Sequence, residues 1–409
     1  WIWYATRPSL SDLRKRRLLE VFTDPEDVFF ADKKTLAQIE DLNAEEQEAL
    51  LDKDLSEAEK ILNQCVDKGV SVCTYQDGAY PQRLKNIIDP PMVLYHKGQI
   101  PEMDDVPVIA AVGTRKASVY GLNIAMRMGY QMASCGAQIV SGIAEGVDGK
   151  AMEGALLAGG TVVAILGFGA DVVYPKSNRR LFEDVVRSGG CLISEFPPET
   201  PPYRWNFPKR NRIISGIACG VLVVEAPLKS GSLITARQAA DQGRDVFVVP
   251  GNIDSGVCEG SNQLLREGGM VATSGWDIVG EYAAMYPGKL RTSDQPLPVS
   301  IMPEVAEQSQ LKVAQPKQCV EKTEKTTTNG DKKSVDKPNK PPYSDVEKKL
   351  PPLNEQEQRI VNELKQGERL TDEVIAATGI AAGQMLGVLT LLEIKGVIRR
   401  LPGNRIALK

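Results

Sequence analysis

Between about residue 70 and residue 286 the chain alternates two kinds of apolar pattern. Short β-branched runs at 106–112, 138–140, 161–166, 191–193, 221–224 and 245–249 carry almost no polar alternation. Longer stretches between them, at 120–133, 149–157, 179–187 and 236–242, place apolar residues at helical spacing. Unbroken apolar strands separated by helices predict an α/β domain over residues 71–286, a doubly wound, Rossmann-like parallel sheet covered on both faces. Ligands of such sheets bind outside the carboxyl ends of the strands. The residues that directly follow each run are therefore the ones to search for chemistry.

The flanks read differently. Leu10, Leu13, Leu18, Val21 and Phe22 recur at near-helical spacing, as do Leu50, Leu51, Leu55, Ile61 and Leu62, with dense charge between them. This pattern predicts a small N-terminal helical (SAM-like) domain over residues 1–70. From 287 to 351 Lys, Thr, Glu, Asp and Pro dominate. Such a segment buries too little apolar surface to offset its ordering entropy and is expected to be a flexible linker. Periodicity returns at Leu353. Helices are expected at 355–365, at 371–377 with Thr371 as cap, and at 383–395 with Met385, Leu386, Val388, Leu389, Leu391 and Leu392. A hairpin of 397–401 and 405–408 turns through Pro402-Gly403-Asn404. Three helices closed by a hairpin predict a winged helix over 352–409.

Composition narrows the chemistry. The net charge of −4 argues against a general polybasic coat but leaves room for a local basic groove, since binding responds to the field at the site. The 7 cysteines form no CxxC pair, so neither a disulfide framework nor a zinc site is expected, and a reducing, cytoplasmic setting fits. His96 is the only histidine and lies in an apolar context, which excludes multi-histidine metal sites and disfavours a nucleophile–histidine dyad. The chain opens Trp1-Ile2-Trp3-Tyr4 with no methionine, as expected of a fragment or a processed start; the apolar stretch is too short for a signal peptide. No run of about 18 apolar residues occurs, so no membrane span is expected.

The strand ends share a composition. The first apolar run leads into Gly113-Thr114-Arg115, a turn plus a planar cation suited to phosphate. The second leads into Ser141-Gly142, with Gly146 and Asp148 beyond, where Asp148 reads as a helix cap or as a functional acid. The third ends in Gly167-Phe168-Gly169, which lacks the remaining glycine and the acidic residue of a dinucleotide fingerprint; no cofactor is expected. After the fourth run a loop carries Tyr203, Arg204, Trp205, Phe207, Lys209, Arg210, Asn211 and Arg212. Interleaved rings and cations suit unstacked bases and phosphates, although Arg212 is equally suited to anchoring the loop internally. The fifth run leads to Lys229-Ser230-Gly231-Ser232 before a helix, a credible phosphate seat that is not a P-loop. Together these junctions describe a long anionic ligand lying across strand ends.

The same segments, Gly113-Thr114-Arg115, 141–148, 167–175, 207–216, 229–236 and 249–251, with Tyr80-Pro81, Asp89-Pro90-Pro91 and Lys97-Gly98 ahead of them, resemble in order and spacing the motifs of the DprA (Smf) family of DNA-processing proteins. The flanking helical module and winged helix match that family's domain order. The resemblance implies an extended Rossmann fold, single-stranded DNA bound in a basic pocket without turnover, homodimerisation through that domain, and delivery of DNA to RecA in natural transformation and recombination. It implies DNA contacts by Arg115, Arg204, Phe207, Lys209 and Arg210. With Gly113, Thr114, Ser141, Gly142, Asn211, Lys229 and Ser230 they form the candidate site. At 22–25 the N-terminal module has Phe-Thr-Asp-Pro where the family commonly has a glycine-centred hairpin.

Two other readings also fit the sequence. Glu145, Asp148, Asp171, Glu195 and Glu225 supply enough carboxylates for a nucleotide-processing hydrolase on a lysine-decarboxylase-like Rossmann scaffold, although no PGGxGTxxE signature is present. A transcriptional regulator acting through the winged helix is the third.

Overall fold

The computed structural model describes residues 1–292 and most of 355–408. The chain divides into two compact units, Trp1–Val313 and Ala314–Lys409. The segment expected to be a linker lies from 293 onward outside the described residues.

The first unit opens with α1 (Ile2–Thr6), α2 (Asp12–Val21), α3 (Pro25–Phe30), α4 (Lys33–Ala37), α5 (Ala44–Leu51) and α6 (Ser56–Lys68). Side chains set several starts: Ser11, Asp24, Asp32 and Asn43 each accept a backbone N–H in the first turn that follows. Trp3, Tyr4, Leu18, Val28, Leu36 and Leu50 share one core, which Met92 joins from the sheet side.

The chain then runs β1 (Ser71–Thr74), α7 (Gln82–Lys85), β2 (Val93–Gly98), β3 (Val108–Val112), α8 (Val119–Ser134), β4 (Gln138–Ser141), α9 (Val147–Leu157), β5 (Val162–Leu166), α10 (Arg179–Arg187) and β6 (Cys191–Ser194). It continues through α11 (Asn206–Ile217), β7 (Gly220–Val223), α12 (Gly231–Asp241), β8 (Asp245–Val248), α13 (Glu259–Arg266), β9 (Met270–Val271) and α14 (Gly275–Val279). The sheet order is β1-β2-β6-β5-β4-β3-β7-β8-β9. From β6 to β9 every pairing is parallel. β1 and β2 add antiparallel at one edge.

Both faces are buried, which accounts for strands without polar alternation. In β3, Val108, Ala110 and Val112 enter one core with Ile213, Ile217 and Ala236, while Ile109 and Ala111 enter the other with Met128, Ile139 and Ala151. β4, β5 and β6 extend to one side of β3, and β7, β8 and β9 to the other, so the topological switch falls between β3 and β7.

Three features differ from the sequence expectation. The antiparallel strands β1 and β2 and the two-residue edge strand β9 were not read as strands, because each carries only a short, mixed apolar signal. The basic and aromatic stretch after β6, read as a loop, is largely the start of α11. Residues 287–291 stay on the sheet unit: Leu290 packs against the core, and Arg291 donates from Nε to the Ser134 carbonyl at 2.7 Å.

The second unit contains α15 (Glu355–Leu364), β10 (Arg369–Leu370), α16 (Thr371–Thr378), β11 (Ile398–Leu401) and β12 (Arg405–Leu408). The sheet runs β10-β12-β11 and is antiparallel throughout. Ile360, Val361, Leu364, Val374, Met385, Leu389, Leu392 and Ile406 form its core. Met385, Val388, Leu389 and Leu392 are helical, as the third expected helix requires; most of that helix and the turn at 402–404 lie outside the described residues. Helices closed by a hairpin make this a winged helix.

Candidate nucleic-acid interface

The carboxyl ends of β3 and β7, on either side of the topological switch, open into a cleft of about 620 Å³. Gly113, Thr114, Arg115 and Lys116 line it from the β3 loop, Phe207, Arg210 and Asn211 from α11, and Lys229, Ser230 and Ser232 from the start of α12. The loops are tied by backbone bonds: the Thr114 N–H donates to the Glu225 carbonyl at 2.7 Å, and the Val147 N–H donates to the Thr114 carbonyl at 3.3 Å. Glu225, buried at the end of β7, accepts from the Ser118 N–H at 2.8 Å and the Ser118 hydroxyl at 2.6 Å. Ser118 in turn caps α8. The β3 loop is thus clamped at both ends, with Arg115 exposed between them.

Cations gather on one ring. The Arg115 guanidinium lies 5.2 Å from the Phe207 ring centroid and that of Arg210 lies 5.9 Å from it. Phe207 is half-buried and rests on Phe168 and Tyr174, at 6.4 and 6.1 Å between centroids. Arg210 forms the floor. It is buried, donates from Nη1 to the Ile165 carbonyl, and faces the buried Asp148. Burial pulls its pKa down to about 10, against the opposing charge of Asp148. Burial raises Asp148 above the usual carboxylate value, and Arg210 works against that shift. Asp148 accepts from the Gly142 N–H at 3.2 Å, so it organises the β4 loop instead of capping α9. Gly142 leaves room for the Arg210 guanidinium, which a Cβ at this position would displace. Ser141 is buried and donates to the Ala111 carbonyl at 2.6 Å; its part is to hold β4 to β3.

On the far wall, Ser230 caps α12 by accepting from the Ser232 N–H at 3.3 Å, and the two hydroxyls lie 2.7 Å apart. Lys229 is exposed just before this positive helix end. Asn211 is buried and donates to the Gly231 carbonyl at 3.4 Å, joining α11 to α12.

The remaining candidates are not brought into the cleft. Arg204 is exposed outside its lining and makes no ion pair among the described residues. Lys209 points to the seam with the N-terminal helices, its Nζ 3.3 Å from Glu195 and 3.5 Å from Asp12. Burial alone would lower it, but Glu195 and Asp12 outweigh burial and hold it above the ordinary lysine value. Arg212 is buried in the same seam, 2.8 Å from Glu195, 2.9 Å from Asp12 and 3.0 Å from Asp89; it is the internal anchor that its composition allowed. The sequence reading passed over Lys116, whose signal was its place directly after Arg115 on the same loop. His96 lies on β2 with Nδ1 2.9 Å from the Gly98 carbonyl, away from the cleft.

The family profile described as DNA recombination-mediator protein A matches residues 71–283, and the DprA winged helix domain profile matches 345–404. DNA processing protein DprA from Streptococcus pneumoniae is 41% identical over 206 residues, covering 50% of this chain and 72% of that protein. Protein Smf from Synechocystis sp. is 32% identical over 352 residues, covering 85% and 82%. The X-ray structure of DprA from Streptococcus pneumoniae superposes with a TM-score of 0.59 at 32% identity, covering 68% of this chain and 96% of that one. With its sheet unit and winged helix each matched in sequence and its sheet unit opening a basic cleft at the topological switch, this chain belongs to the DNA recombination-mediator protein A (DprA/Smf) family.

Proposed function

We propose that this chain is a recombination mediator that binds single-stranded DNA in the switch-point cleft and passes it to RecA. The carrying observation is the Arg115–Phe207 pair. A half-exposed ring under a free guanidinium offers an unpaired base a stacking face and its phosphate a cation at one spot. The exposed cations Lys116 and Lys229 and the start of α12 continue the track. Homodimerisation, contact with RecA in the cytoplasm and a role in natural transformation are part of this proposal and rest on family membership.

The acids support binding over hydrolysis. Asp148 is the one carboxylate among the cleft-lining residues, and it is buried against Arg210. Glu145 accepts from Ser177, Asp171 from the Glu199 N–H, Glu195 from Arg212, and Glu225 from Ser118.

Titration of single-stranded and duplex oligonucleotides against the intact chain and a chain ending after residue 292 tests the proposal. Retained single-strand preference in the shorter chain is expected. Affinity should fall with salt with a log–log slope of about −2, from three exposed cleft cations. Loss of single-strand binding on truncation, with duplex binding confined to the winged helix, contradicts it and favours a transcriptional regulator.

A further inference from the structure

An aromatic pair just ahead of Phe207 stays largely in solvent. The Tyr203 and Trp205 rings stack with centroids 4.7 Å apart and planes 9° from parallel. Yet Trp205 is 70% exposed and Tyr203 44%. A tryptophan normally contributes by burying its large apolar surface, so leaving most of it in water forgoes the usual reason for placing one there. The backbone beneath is held rather than loose. Pro201 and Pro202 precede the pair, the Tyr203 N–H donates to the Pro201 carbonyl at 2.8 Å, and the Asn206 N–H donates to the Tyr203 carbonyl at 3.1 Å. Between the two rings in sequence stands Arg204, exposed and without an ion pair among the described residues.

We propose that Tyr203 and Trp205 form a second base-stacking platform, which takes a further unpaired base of the strand held in the cleft while Arg204 meets its phosphate. The inference rests on the function proposed above. Three observations select this occupant. A preformed pair of parallel rings presents an outer π-face, which every base matches and which an apolar protein side chain does not need. The residue between the two rings in sequence, Arg204, is an exposed cation, as a polyanion requires. The platform also stands at the start of the helix that carries Phe207, two residues ahead of it in sequence. It makes Arg204 a contact of the strand outside the cleft, consistent with its absence from the cleft lining.

The test is fluorescence anisotropy on the full chain with two oligodeoxythymidines, one of about four nucleotides and one of about ten, lengths at the low end and middle of single-strand site sizes. Trp205→Ala is expected to weaken the longer oligonucleotide about tenfold or more and to leave the shorter one unchanged, while Trp205→Phe keeps most of the affinity. Binding of the longer strand should quench tryptophan fluorescence, and that quench should vanish in Trp205→Phe, with Trp1, Trp3 and Trp276 as the unaffected background. No loss at either length overturns the platform, as does an equal loss at both. A change in self-association with unchanged DNA affinity overturns it in favour of a protein contact. Failure of the cleft itself reads differently, as a short oligonucleotide whose affinity ignores Arg115→Ala.

Discussion

The two sides of α11 put the same residue types to opposite uses. Phe207, Arg210, Asn211 and Ile214 follow the i, i+3, i+4, i+7 rhythm of one helix face and line the cleft. Lys209 and Arg212, three apart on another face, are consumed by Asp12, Asp89 and Glu195 at the seam with the N-terminal helices. Across the cleft the exposed cations Arg115, Lys116 and Lys229 have no carboxylate within ion-pair distance among the described residues. A cation already satisfied by acids contributes to stability. One left open beside a ring is available to a ligand. Charge in the sequence does not distinguish these uses; the partner supplied by the fold does.

Breaking the seam gives the largest effect. Arg212→Ala takes from Asp12, Asp89 and Glu195 the buried cation they share, leaving only Lys209 beside Asp12 and Glu195, and is expected to cost about 3–5 kcal/mol of unfolding free energy, read from urea denaturation. The protein that remains folded should bind single strands normally. A comparable loss of DNA affinity with unchanged stability would exchange the roles assigned to the two faces.

Changing pH sharpens the contrast with a smaller effect. Because the folded-state pKa of Lys209 lies above the ordinary 10.5, its stabilising contribution is complete below that value and is lost as pH rises through the higher folded value. Thermal melts of the wild type and Lys209→Met should therefore differ by a constant amount through the neutral range and converge only in strong alkali. A difference that fades on approaching neutrality would show that the seam does not hold the lysine as described.

Most of the fold was legible because the doubly buried strands and their helices carry strong apolar periods: α10 spans Arg179–Arg187 and β6 begins at Cys191, as their patterns require. The antiparallel strands β1 and β2 were not: β1 is a four-residue, partly exposed edge strand with little pattern of its own, and β2 is set in the sheet by β6, about 100 residues further along the chain. Among the candidate site residues, Arg115, Phe207, Lys229 and Ser230, picked from strand-end position and composition, line the one cleft. The loss of Lys209 to the seam was not legible, because it depends on Asp12, some 200 residues away in sequence and brought close only by the docking of α2. The same long-range pairing decides Arg212, which local composition left open.

The central claim is that the open cations around Phe207 bind DNA while those paired at the seam do not. The most direct test is a side-by-side measurement of single-strand affinity for Arg115→Ala and Lys209→Ala. The account predicts a loss of about 1–3 kcal/mol for the first, with a salt slope smaller by about 0.7, and almost no change for the second. Equal losses, or a larger loss at Lys209, would contradict it.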